Sequence, residues 1–163
     1  MIVECNEYLK VKLKAAGIQK PIITTQKKLK DNNEKHCGAV LPDKEEVTKS
    51  GQMKFYYDDQ NKKKKRTQKF NRVVYFIVII GEYSFEKCSE LYEKFLCELD
   101  YGLYIDGNWA EMTIEEIDWV DNEDSILKSD ITVQMLVKFE GGVYKDTNFK
   151  AIQLENTEVE HGE

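Results

Sequence analysis

Val73-Val74-Tyr75-Phe76-Ile77-Val78-Ile79-Ile80 is the longest apolar run in the chain, and it follows directly on Lys62-Lys63-Lys64-Lys65-Arg66-Thr67-Gln68-Lys69-Phe70-Asn71-Arg72. The apolar residues do not alternate with polar ones, which predicts a central strand covered on both faces. Gly81 ends it. The basic residues before it predict a solvated arm, covalently tied to the most buried strand and placed to grip something outside the domain.

Upstream, Met53-Lys54-Phe55-Tyr56-Tyr57 is an extended run, and Asp58-Asp59-Gln60-Asn61 is a turn sequence. Together with the strand from Phe70 onward they predict a hairpin with the basic cluster at or near its tip, on the ascending side. Cys37 to Pro42 reads as a brief strand stopped by proline, Pro21 to Thr25 as a short extended piece, and Gln26 to Lys35 as a polar loop. Ile2, Cys5, Leu9, Leu13 and Ala16 recur at steps of three and four, predicting a helix that Gly17 terminates in a left-handed conformation. Lys10, Lys12 and Lys14 fall late in it, where the dipole favours positive charge.

Downstream, Ser84 is a good N-cap for a helix whose Phe85, Cys88, Tyr92, Phe95, Leu96 and Leu99 form an apolar stripe. Asp106-Gly107 marks a hairpin turn. In the strand that follows, Met112 and Ile114 share one parity and Ile117 and Trp119 the other, so a bulge is expected across Glu115-Glu116. Asp121-Asn122-Glu123-Asp124 reads as the next turn. Ile131, Val133, Met135, Val137 and Phe139 then alternate with polar residues in a half-buried strand expected to close at Gly141-Gly142. The expected fold is α+β: a single domain with a mixed or antiparallel sheet packed by two main helices and an extended basic hairpin arm. It spans residues 1–143, with residues 144–163 a peripheral or partner-ordered tail.

A chain of 163 residues with 41% hydrophobic content fits one core. Its apolar run is far shorter than the roughly 18 residues of a membrane span, and Glu4 and Glu7 stand where a leader would carry basic residues, so neither span nor leader is expected. Cys5, Cys37, Cys88 and Cys97 lack CxxC spacing and read as free thiols of a reducing compartment. The net charge of -6 conceals a segregation: positive charge gathers between Lys62 and Arg72, while Glu86 to Asp130 is dominated by carboxylates.

A nucleophilic Ser or Cys needs a base close by, yet the two histidines lie in unpromising polar segments; no Gly-rich phosphate cradle is present, and His36-Cys37 has only His161 as a second histidine. The carboxylates Glu111, Glu115, Glu116, Asp118, Asp121, Glu123 and Asp124 invite a metal, but their spacing supplies neither an EF-hand loop nor the lysine a nuclease strand wants. No catalysis, metal or cofactor is therefore expected. The basic set Lys62, Lys63, Lys64, Lys65, Arg66, Lys69 and Arg72 reads as a partner-binding arm. Phosphates are one candidate partner, a solvated edge that discourages strand pairing is the plain alternative, and the acidic edge of another copy or a partner fits the charge segregation best.

The order of these elements resembles phage tail terminator proteins, also called tail completion proteins, of long-tailed phages and related contractile particles. The N-terminal helix, Arg72 to Ile79, the Ser84 to Leu99 helix, Trp109 to Val120 and Ile131 to Phe139 carry the resemblance. It implies a non-enzymatic virion protein at the neck end of the tail, assembled in the bacterial host cytoplasm. Copies would form a ring, usually hexameric, that caps the tail tube and joins the head-tail connector. DNA would pass through a lumen lined by the carboxylates between Glu111 and Asp124, and the arm would dock on a neighbouring subunit, the tube protein or a sheath protein. The neighbouring alternative is another head-tail completion or connector protein, and two rivals come from other classes: a nucleic-acid binding module using the arm, and a metal-dependent nuclease using the acidic cluster.

Overall fold

The chain is described by a computed structural model over residues 1–121 and 129–149. Its elements are α1 (Ile2–Ala16), α2 (Gln26–Lys30), β1 (Cys37–Lys49), β2 (Met53–Tyr57), β3 (Lys63–Glu82), α3 (Phe85–Glu98), β4 (Gly102–Ile105), β5 (Asn108–Asp121) and β6 (Ile131–Asn148). The strands form one antiparallel sheet in the order β1-β3-β6-β5-β4, and β2 pairs with β3 off that path. The fold is α+β, with α1 and α3 on one face of the sheet.

Local chemistry accounts for the helices. Cys5, Leu9, Leu13 and Ala16 are the buried stripe of α1, and Gly17, at φ 119, returns its N–H to the carbonyls of Leu13 and Lys14. Ser84 caps α3 by accepting the N–H of Lys87, and Cys88 and Phe95 are its buried residues. These side chains close over Val74, Phe76, Val78 and Ile80 of β3 and Val133, Met135, Val137 and Phe139 of β6. Phe76 and Phe139 meet edge to face, with centroids 6.0 Å apart.

The opposite face is covered only in part. Ile23, Leu29, Cys37, Ala39, Leu41 and Ile79, with Ile77 against them, form a second small cluster under α2. Val73 and Tyr75 remain half exposed, so the unbroken apolar run is doubly covered only at its far end. The reason is reach: the 5-residue α2 spans one end of the sheet.

Several strand boundaries differ from the sequence expectation. Pro42 does not stop β1, which continues to Lys49 with a register shift between Pro42 and Glu45. β1 has β3 as its ladder partner on one side, and an edge strand tolerates a missing N–H. The expected loop from Gln26 holds α2, capped by the Thr25 hydroxyl. β2 pairs with the basic run itself, from Met53 opposite Thr67 to Tyr57 opposite Lys63, rather than with the strand from Phe70 onward. β6 passes through Gly141-Gly142 and continues to Asn148, so the first residues of the expected tail are sheet. The bulge in β5 lies where the parity change places it, between Ile114 and Glu116. It keeps Ile117 and Trp119 opposite Met135 and Val133, and Trp119 packs on Phe85 and Tyr92 of α3 at 5.0 and 5.6 Å. No helix among the described residues is long and apolar enough to cross a membrane.

Candidate interaction surfaces

β3 is the longest strand, 20 residues, and its first third leaves the helical layer behind. There Lys63 to Gln68 run between β2 and the end of β6 as a three-stranded extension. The turn leading into it is built by Asp58, whose Oδ1 accepts the N–H groups of Gln60 (3.0 Å) and Lys62 (2.8 Å), with Asn61 at φ 57. The Lys62 N–H holds the Asp58 carboxyl below its ordinary pKa. The extension joins the body through a register shift between Gln68 and Phe70, a bulge that leaves Lys69 as the extra residue.

Strand alternation sorts the basic run onto two faces. Lys64, Arg66 and Gln68 share one face with Tyr56 of β2 and with Tyr144, Asp146 and Asn148 of β6. This face is internally bonded. Arg66 grips Asp146 with two parallel bonds, Nε to Oδ1 at 2.7 Å and Nη2 to Oδ2 at 2.6 Å, and Tyr56 donates its hydroxyl to the same carboxylate at 2.9 Å. The Arg66 guanidinium holds the Asp146 carboxyl below the usual range, and the carboxylate in turn raises Arg66. Arg66 also donates to Asn108 at 3.0 Å, tying the extension to the β4–β5 hairpin. Lys64 bonds Asn148 at 2.6 Å and lies 3.5 Å from Asp58. The cleft between extension and hairpin, about 350 Å³, is lined by Arg66, Arg72, Asn108 and Asp146 among others, and those charges are already committed to neighbours.

The other face carries Met53, Phe55 and Tyr57 of β2, Lys63, Lys65 and Thr67 of β3, and Lys145, Thr147 and Phe149 at the end of β6. Here the rings are open: Tyr57 is 64% and Phe55 54% exposed. Phe55 and Phe149 meet edge to face at 5.5 Å, and the Lys63 ammonium sits 5.3 and 4.4 Å from their centroids. Among the described residues no carboxylate forms an ion pair with Lys63, Lys65 or Lys145.

The expected basic set is therefore not one patch. Lys62 stands in the exposed turn, Lys63 and Lys65 on the aromatic face, Lys64 and Arg66 on the bonded face, and Lys69 at the bulge. Arg72 belongs to the body, where its Nε donates to Glu45 at 2.6 Å.

The carboxylates divide in the same way. Glu111 lies opposite Glu140, and Lys138 moderates the charge there by bonding Glu115 at 2.6 Å and approaching Glu140 at 3.8 Å. The Glu115 carboxylate raises the Lys138 pKa. β4 pairs with β5 only as far as Glu111, so among the described residues no strand pairs with the outer side of β5 from Thr113 to Asp121. In that stretch Glu116 and Asp118 share the face away from the helices, whereas Asp121 shares the parity of Ile117 and Trp119. Glu123 and Asp124 lie outside the described residues, as do the tail residues from 150 onward.

Cys5, Cys37, Cys88 and His36 are committed to structure, and Cys97 is the exposed thiol among the described residues. Burial pushes the thiols of Cys5 and Cys88 up to about 12 and about 11 and raises that of Cys37, the wrong direction for a reactive cysteine. His36 bonds the buried Glu82 through Nδ1 and accepts the Gln19 N–H through Nε2 at 3.4 Å. Among the described residues no three His, Cys, Asp or Glu side chains converge on a metal position.

Sequence reasoning missed the bonded face, because Asp146 falls in the stretch read as a tail. The two-residue alternation of Met53, Phe55 and Tyr57 with Lys54 and Tyr56 was the available signal. No protein-family model matches this chain, and no curated protein matches it in sequence.

Proposed function

We propose that this chain is a non-enzymatic structural protein of a phage-type tail, which assembles as a ring, hexameric by its resemblance, on the end of the tail tube. One observation carries this: among the described residues, one sheet bears a lysine and aromatic surface without carboxylate partners at the β2–β3–β6 end, and carboxylates on the outer side of β5, with no strand beyond them, toward the other end. Surfaces of opposite charge at opposite ends of one body favour head-to-tail contacts, which close into rings when the rotation permits. Glu111, which forms no ion pair among the described residues, then faces the channel, where negative charge lets DNA pass without sticking. The ring joins the tube, and a sheath where one exists, to the head-tail connector at the neck of the virion. Light scattering on the purified chain, with electron microscopy of the same sample, tests the proposal. Rings of uniform copy number are expected, and a strict monomer at all concentrations overturns it.

A second reading, binding of single-stranded nucleic acid by the extension, is favoured by the exposed rings of Phe55, Tyr57 and Phe149 beside three lysines. It predicts DNA affinity by the isolated chain that falls steeply with salt.

A further inference from the structure

We infer that, within the ring proposed above, the lysine and aromatic face of the extension docks on the Glu116 and Asp118 row along the outer strand β5 of a second copy of this chain. The inference rests on that ring and specifies its contact. Lys63 and Lys65 stand two residues apart on one face of β3, and Glu116 and Asp118 stand two residues apart on one face of β5. Both rows therefore repeat at roughly 6.6 Å, twice the rise of a strand residue, so two ion pairs form at one register.

Neither row is neutralised within its own chain among the described residues, whereas Lys64, Arg66, Arg72 and Glu115 are. The pairs set orientation and association rate. The exposed rings of Phe55 and Tyr57 supply the apolar area that holds the contact.

The two rows cannot meet within one molecule. Glu116 is level with Leu136 on β6 and Lys65 with Thr147, a separation of roughly 35 Å at the rise of a strand. Leu136 and Thr147 also differ in parity, so the rows lie on opposite faces of the sheet. A contact between them is therefore heterologous, each copy offering its extension to one neighbour and its β5 row to the other, which is the arrangement a ring requires. A protein partner is favoured over nucleic acid by the equally spaced Glu116 and Asp118 row, whose charge complements the lysines and repels phosphates.

The test is a charge exchange on the full chain, read by light scattering and sedimentation. K63E/K65E and E116K/D118K are each expected to weaken self-association by roughly a hundredfold or more, because like charges are brought together. Equimolar mixing of the two variants restores assembly with alternating copies, as does one chain carrying all four substitutions. Recovery on mixing excludes misfolding as the cause of the loss. Variants that assemble like the unmodified chain overturn this contact and leave the ring standing, and variants that fold but fail to recover on mixing overturn it as well. An unmodified chain that never associates overturns both contact and ring. If K63E/K65E loses only affinity for a mixed-sequence single-stranded oligonucleotide, with assembly unchanged, the face belongs to nucleic acid and the contact is overturned.

Discussion

The two ends of β3 are one continuous strand held in two different ways. From Val74 to Ile80 the strand is stabilised by burial: Val74, Phe76, Val78 and Ile80 are at most 2% exposed and sit under α1 and α3. From Lys63 to Gln68 no helix covers it, and the ladder is held by charged hydrogen bonds to β6 and by lysine and arginine resting on rings. The difference teaches which end answers to solvent. Burial is indifferent to pH and weakly affected by moderate salt, whereas ion pairs at the surface are modest and screened.

The largest expected effect breaks the buried end. Phe76→Ala or Phe139→Ala removes a fully buried ring from the core contact and should cost about 3–5 kcal/mol, measured by chemical denaturation of the whole chain. A loss below about 1 kcal/mol would mean that the core is not organised around this pair.

Asp146→Ala should act at the other end. It leaves Arg66 without its carboxylate and Tyr56 without its acceptor, at a local cost of about 1 kcal/mol once solvent screening of this partly exposed pair is allowed for. Hydrogen exchange should quicken from Met53 to Tyr57 and from Lys63 to Gln68 while Val74 to Ile80 stay protected. Equal quickening at both ends would show that they unfold as one unit.

Acid should act in the same direction as that substitution. Asp146 and Asp58 have folded pKa values below their ordinary ones, so the stability they contribute is fully present above the unfolded carboxylate value. It is lost as pH falls through the folded values, in a window beginning near pH 4 and extending downward. Exchange on the extension should rise through that window before the core responds, and an extension indifferent to pH in that range contradicts the assignment.

The smallest effect is the most discriminating between the two faces of the extension. Lys65→Ser or Lys145→Ser removes a charge with no carboxylate partner among the described residues, so thermal stability should stay within about 0.5 kcal/mol. A larger loss would make the aromatic face a structural element and remove the motive for assigning it a partner.

Much of the fold was legible because it depends on local spacing. The stripe of α1 and its stop at Gly17, the Ser84 cap and the β5 bulge each follow from residues within a turn or two of one another, where a period of 3.6 or 2 is a property of the chain itself. The central position of Val73 to Ile80 followed from composition alone. Its two-sided covering did not, since that depends on how far α2 reaches. The candidate surfaces were legible in content and wrong in grouping: the basic run and the carboxylates are contiguous in sequence, and strand alternation divides each of them.

Residue order thus settled the two long helices, the central strand and where charge would gather. Long-range pairing settled which charges among the described residues find partners, which strands lie outermost, and how far β1 and β6 extend. Arg66 and Asp146 are 80 positions apart, and Lys138 of β6 reaches Glu115 on the neighbouring strand β5. Neutralisation of a charge depends on a partner within a few ångströms in space, and distances of that kind are fixed by sheet register.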